Sequence, residues 1–247
     1  MNLEQFFREN PRVALGFSGG VDSSYLLYAA NKWGSKVGAY FIKTAFQPEF
    51  ERRDALALAE QLGVRVQILE TDILCSQIIA KNPKNRCYHC KTALFTLLKK
   101  QAMADGFSVL IDGTNASDDI ADRPGMRALR ELSVRSPLQE CGLTKAEIRR
   151  RSQEAGLFTW NKPAYACLAT RIPTDTAITS ELLHRIECGE DALFAMGFSD
   201  FRLRVYEGAA RIQLPETQFV QAIAQKSGIL AALSPYFTLV FLDLKAR

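Results

Sequence analysis

The string R-C-Y-H-C-K, residues 86–91, sets Cys87 and Cys90 three positions apart with Tyr88 and His89 between them. Thiols at that spacing can grip a metal ion, exchange a disulfide, or share a cluster with a distant cysteine. A structural zinc takes four protein ligands, and the chain has no second C-x-x-C to supply them. A further cysteine, Cys167, stands in the irregular stretch W-N-K-P-A-Y-A-C-L-A-T-R-I-P (160–173), four positions before Arg171. A nearby cation favours the reactive thiolate; burial as a small apolar residue is the commoner fate of a single cysteine. Cys75, Cys141 and Cys188 lie outside these motifs and are expected to be structural.

The second chemical stretch is G-F-S-G-G-V-D-S-S, residues 16–24, between an apolar run and an amphipathic one. Gly19 and Gly20 let a backbone approach a ligand closely, and the start of a helix offers unpaired N–H groups to an anion. Ser18, Ser23 and Ser24 add hydroxyls, and Asp22 suits a magnesium ion that bridges phosphates. The string lacks the lysine and spacing of a Walker A loop. A third stretch, D-G-T-N-A-S-D-D-I-A-D-R (112–123), offers Gly113, three carboxylates for magnesium (Asp118, Asp119, Asp122) and Arg123 for a phosphate. A solvated acidic loop is the alternative for those carboxylates. Thr144 and Glu147 fit a T-x-x-E capping box, which is structural. Arg202 and Arg204 alternate along one strand and so share a face; spacing alone makes them solvated charges on an edge.

These motifs need elements to position them. Apolar runs at 12–17, 35–42, 64–71 and 107–113 read as buried strands, with helices predicted at 21–33, 49–63 and 91–106. Alternation of this kind predicts an α/β fold with a parallel sheet flanked by helices. Ligands then bind beyond the carboxyl ends of the strands, at loops 18–22, 43–48, 72–90 and 113–125. After about residue 165 the pattern changes to a long helix (179–197), strands at 201–206 and 210–214, a helix near 216–225 and a last strand at 237–244. This predicts a smaller C-terminal α+β domain, with domains at 1–168 and 169–247. The net charge of +4 suits an anionic substrate but is too small to argue for nucleic acid. The N-terminus lacks a signal-peptide pattern and no apolar run reaches membrane-helix length, so a cytoplasmic protein with mostly reduced thiols is expected.

The S-G-G-V-D-S string at a strand–helix junction resembles the pyrophosphate loop of the PP-loop ATP-pyrophosphatases, which have a Rossmann-like (HUP) domain. N-R-C-Y-x-C-K, D-G-T-N, R-P-G, T-K-x-E-I-R, W-x-K-P-x-x-A-C-L-A-x-R-I-P and R-x-R extend the likeness over nearly the whole chain. Together they are similar to the ATP-dependent sacrificial sulfur transferase family (LarE-like), which serves nickel-pincer nucleotide cofactor synthesis. The resemblance implies ATP, Mg2+ and a pyridinium biscarboxylate mononucleotide as reactants, an adenylate intermediate, and homo-oligomers (trimers or hexamers). It implies that Cys87, Cys90 and Cys167 hold a [4Fe–4S] cluster carrying the sulfur, or that Cys167 alone gives up its sulfur in a single turnover. It also implies that Arg202, Arg204 and Arg171 bind the substrate and that Glu190 lies near an interface metal. Residue 213 is Gln where the family usually has Glu. The rival readings are a tRNA thiolase with the same loop and a nucleotide- or metal-binding carrier without activity.

Overall fold

The computed structural model describes residues 1–118 and 124–247; Asp119, Asp122 and Arg123, named above as metal or phosphate groups, lie outside the described residues. In chain order the elements are α1 (Leu3–Glu9), β1 (Arg12–Gly16), α2 (Val21–Lys32), β2 (Lys36–Lys43), α3 (Glu49–Gln61), β3 (Val66–Glu70), α4 (Gln77–Ala80), α5 (Arg86–Ala104), β4 (Val109–Ile111), α6 (Pro124–Glu131), α7 (Pro137–Glu140), α8 (Lys145–Glu154), α9 (Ser180–Ala195), β5 (Arg202–Tyr206), β6 (Ala209–Gln213), α10 (Phe219–Ala224), α11 (Lys226–Leu233) and β7 (Val240–Leu242). They form two compact units: Met1–Ile73 with Asn85–Lys162, and Leu74–Lys84 with Pro163–Arg247. The single boundary drawn from sequence lay at 168/169.

In the first unit, β1 to β4 make a parallel sheet in the order β3-β2-β1-β4. Successive residues of a strand point to opposite faces, so β1 and β2 feed two cores. Val13, Leu15, Ala39 and Phe41 pack with Phe6, Leu26, Leu27, Leu58 and Ile148 on one side. Ala14 and Tyr40 pack with Leu98, Ala102, Phe107 and Leu110 on the other. Burial on both faces explains why these strands read as unbroken apolar runs. The α/β sheet expected from the alternating pattern is present, and its chain order reverses direction between β1 and β4, beside the phosphate loop.

One element differs in a way that matters. The helix predicted at 91–106 begins at Arg86, so C-x-x-C lies in its first two turns and not in a preceding loop. Cys, Tyr and His have middling helix propensities and carry no apolar period; with Pro83 placed before the start, nothing in 86–90 interrupts the helix.

In the second unit, β5 and β6 pair antiparallel and β6 pairs parallel with β7. Leu183, Ile186 and Leu193 form the buried stripe of α9. The 74–84 segment is stitched to this unit by Asn82, which is buried and left-handed (φ 57°). Its Nδ2 donates to the Pro173 carbonyl at 2.7 Å, and its own carbonyl accepts from Asp175 N at 2.9 Å. Among the described residues, no helix is long and apolar enough to cross a membrane.

Candidate functional site

Gly20 caps α2, the helix that follows β1, and the loop before it is held by its own hydroxyls. Ser23 Oγ donates to the Gly20 carbonyl at 3.2 Å, accepts from Ser18 N at 3.3 Å and lies 3.1 Å from Ser18 Oγ. Gly19 has φ +70°, and a Cβ there would lie 2.8 Å from Ala55 Cα, so only glycine fits both the conformation and the space. Ser24 Oγ is buried with no hydrogen-bond partner. The backbone N–H groups at the start of α2 make this end of the helix favourable to an anion.

Asp22, in the first turn of α2, accepts from Lys145 Nζ through Oδ2 at 2.5 Å. Its other oxygen, Oδ1, is buried without a hydrogen-bond partner. Burial pushes the Asp22 carboxyl up from the usual range, Lys145 opposes this, and the charge of Asp118 adds to the rise. Lys145 was missed as a site residue because T-K-x-E read only as a cap. That cap does form: Thr144 Oγ1 accepts from Glu147 N at 3.3 Å, although the Glu147 carboxylate turns to Arg150 and Arg151. The overlooked signal was a lysine in the first turn of a helix, where the macrodipole disfavours a cation unless an anion faces it.

The loop after β4 closes on the same place. A Cβ on Gly113 would lie 3.1 Å from Ser23 N and 3.3 Å from Asp22 Cβ. The buried Asp112 carboxylate holds this loop by accepting from Thr114 Oγ1 and Ser136 Oγ, both at 2.6 Å. Gly113→Ala is therefore expected to weaken ATP binding about tenfold through a shift of a few tenths of an ångström at Ser23. Nucleotide titration checks this, with little change in melting temperature. At the carboxyl ends of β2 and β3, a cavity of about 490 Å3 is lined by Lys43, Thr44, Ala45, Glu70, Thr71 and Asp72.

Cys87 and Cys90 lie one turn apart at the start of α5, with side chains on one face of the helix. Arg86 is 7% exposed, and its Nη2 is 3.9 Å from Cys87 Sγ. Cys167 belongs to the second unit, where it caps the short 3-10 turn Leu168–Arg171. Among the described residues, no group of three or more His, Cys, Asp or Glu is placed to hold a metal ion.

The Cys167 turn is braced by Arg171, which is 1% exposed. Its Nε and Nη2 donate to Glu190 Oε1 and Oε2 at 2.8 and 3.1 Å, and its Nη1 donates to the Ala166 carbonyl at 2.7 Å and Thr170 Oγ1 at 2.9 Å. Glu190 also accepts from Leu203 N at 3.0 Å and Tyr165 OH at 2.5 Å. Two donors on each oxygen use the capacity of this carboxylate. The geometry makes Arg171 and Glu190 a buried brace of the Cys167 loop.

Arg202 donates to the carbonyls of Phe201 and Ala164, both at 2.6 Å. Arg204 donates to Gln213 Oε1 at 2.5 Å and to the Thr170 carbonyl at 2.7 Å. Burial, with repulsion from Arg171, pulls Arg202 down to about 10, and the same causes lower Arg204. Such a crowd of guanidinium groups gains from an incoming anion. Gln213 passes the link on, donating to Asp243 Oδ2 at 2.8 Å.

The chain is 38% identical over 229 residues, 92% of its length and 85% of the relative's, to an uncharacterized protein of Synechocystis. It is 34% identical over 209 residues, 84% of this chain and 76% of the other, to the pyridinium-3,5-bisthiocarboxylic acid mononucleotide synthase of Lactiplantibacillus plantarum. The chain belongs to the LarE-like sulfur transferase family. As a LarE-like protein it is an enzyme of sulfur transfer with a PP-loop fold. A more distant relative of this LarE-like chain is the tRNA-specific 2-thiouridylase of Thermotoga petrophila, 25% identical over 193 residues, 61% of this chain and 54% of that protein. No protein-family model matches the chain.

Proposed function

We propose that the chain uses ATP to convert a carboxylate of a pyridinium biscarboxylate mononucleotide into a thiocarboxylate, within nickel-pincer cofactor synthesis. The observation that carries this reading is the 34% identity, over 84% of the chain, to the synthase of the corresponding bisthiocarboxylate. The phosphate loop supports the first step. A substrate carboxylate oxygen attacks the α-phosphorus of ATP, pyrophosphate leaves, and an acyl adenylate forms. The α2 N-terminus, Ser18, Ser23 and Lys145 stabilise charge on the departing pyrophosphate.

The orphaned Oδ1 of Asp22 fits a hard cation, so Asp22 would hold Mg2+, which usually binds through one or two carboxylates plus phosphate oxygens. That ion supplies charge neutralisation at the phosphates. In the second step, the thiolate of Cys167 attacks the acyl carbon and AMP leaves, giving a thioester. Loss of the Cys167 α-proton then breaks its Cβ–S bond, leaving a thiocarboxylate and dehydroalanine.

The other route is a [4Fe–4S] cluster held by Cys87, Cys90 and Cys167 and carrying the sulfur, which the C-x-x-C spacing in the first turns of α5 supports. Anaerobic iron and sulfide analysis separates the two: about four of each per chain supports the cluster and sinks the thiolate route.

Arg202 and Arg204 are assigned to the substrate phosphate, supported by their depressed pKa values. Arg204→Ala is expected to weaken binding of the pyridinium mononucleotide about 30-fold, the loss of one charge-assisted contact, while ATP binding holds. Unchanged substrate affinity in a titration would refute the assignment. The tRNA thiolase reading lacks support from charge, since the net charge is only +4. The exposed apolar residues Val220, Ile223, Leu230 and Leu244 of the second unit support a homo-oligomer.

A further inference from the structure

Lys162, third in the W-N-K-P stretch, carries an enclosed ammonium whose hydrogen bonds are unmade. Its side chain is 16% exposed and its Nζ is buried, with Asp54 Oδ2 of α3 at 2.6 Å and the Phe50 ring centroid at 5.4 Å. The Asp54 contact is an ion pair, yet Nζ makes no hydrogen bond among the described residues. An ammonium has three N–H donors, and leaving them unmet away from water is costly. Other lysines of this unit end differently: Lys145 Nζ donates to Asp22 and Lys43 Nζ to the Gln47 carbonyl.

The backbone that carries this ammonium is fixed beside the phosphate loop. Arg149 Nη1 donates to the Trp160 carbonyl and Nη2 to the Lys162 carbonyl, both at 2.7 Å. Arg149 stands one turn after Lys145 on α8 and so shares the face that meets Asp22. Thr159, in the 3-10 turn Phe158–Asn161, is fully buried and anchors the same stretch. From the other side, Asp54 immediately precedes Ala55, the residue against whose backbone Gly19 packs. An enclosed cation is thus tethered both to the helix that carries Lys145 and to the helix that touches Gly19.

We propose that Lys162 is a further phosphate-binding residue of the ATP site, which gives its unused N–H groups to the phosphate chain of the nucleotide. Asp54 holds the ammonium in place until the phosphates arrive, and Arg149 is the positioning residue that keeps its backbone there. This inference rests on the reading that the chain uses ATP.

The test titrates the full chain, in the presence of magnesium, with α,β-methylene-ATP, which keeps the phosphate charges but cannot release pyrophosphate, and in parallel with adenosine. Calorimetry is expected to show Lys162→Met binding the analogue about 30-fold more weakly, the loss of one charge-assisted contact, with adenosine affinity unchanged. Asp54→Asn frees the ammonium and removes a carboxylate near the phosphates, so it is expected to bind the analogue at least as tightly as the parent. A purely structural ion pair would instead make the two variants behave alike. Unchanged analogue affinity in Lys162→Met, a loss matched by adenosine, or weaker binding in Asp54→Asn overturns the proposal, and the Asp54 variant decides alone should Lys162→Met fold poorly. A parent that binds the analogue no better than Lys162→Met isolates failure of this assignment, whereas a parent that does not bind it at all sinks the ATP reading and this assignment with it.

Discussion

Cys167→Ser is expected to release pyrophosphate from ATP in the presence of the pyridinium mononucleotide while forming no detectable thiocarboxylate. The substitution replaces one atom of one side chain and alters none of the phosphate-loop residues, Asp22, Lys145 or Gly113. It also preserves the brace on the loop, since Arg171 binds the Ala166 carbonyl and Thr170 rather than requiring the sulfur. What it removes is a nucleophile. A serine hydroxyl without a base is far weaker near neutral pH than a thiolate, so loss of at least about a thousandfold in transfer is expected. Chromatography of the product beside a pyrophosphate assay separates the two steps. Cys87→Ser serves as the companion: under the Cys167 route, a single turnover survives it. Abolition of transfer by Cys87→Ser would instead move the sulfur to a shared cluster.

The second large effect is on stability. Glu190→Ala is expected to destabilise the second unit by about 3–5 kcal/mol, because it leaves the Arg171 guanidinium buried without its counter-charge. Leu203 N–H and Tyr165 OH lose their acceptor as well. For a chain of this size the loss corresponds to a drop of roughly 10 °C in melting temperature. The double substitution Glu190→Leu with Arg171→Met removes both charges and should recover part of that loss. Calorimetry on the three variants checks this. A single Glu190→Ala variant that melts with the parent would show that the pair carries little, and a double variant no better than the single would locate the cost in the backbone donors.

The sequence made the parallel sheet legible because burial on both faces leaves β1 and β2 apolar throughout, with Val13, Leu15 and Phe41 on one side and Ala14 and Tyr40 on the other. The phosphate loop was legible too, since small residues at a strand–helix junction have few other reasons to cluster. Lys145 was not, because its partner Asp22 lies 123 positions away and helix capping already explained its neighbours. The ion pair of Glu190 with Arg171 was hidden for a related reason. Charged residues in motifs suggest ligands, but here they satisfy one another at nearly zero exposure. The start of α5 was hidden by residues of middling propensity, and α1 by its brevity and its placement ahead of the first strand. Local chemistry is readable from types and spacing, whereas long-range pairing is visible only when the chain is folded.

The most direct measurement is an anaerobic single-turnover reaction with ATP, magnesium and the pyridinium biscarboxylate mononucleotide, in which product and intact protein mass are read together. The proposed route predicts pyrophosphate, AMP and one thiocarboxylate per chain, with each reacted chain lighter by one hydrogen sulfide at Cys167. Thiocarboxylate formed repeatedly by chains of unchanged mass, or no pyrophosphate released with this substrate, would contradict it.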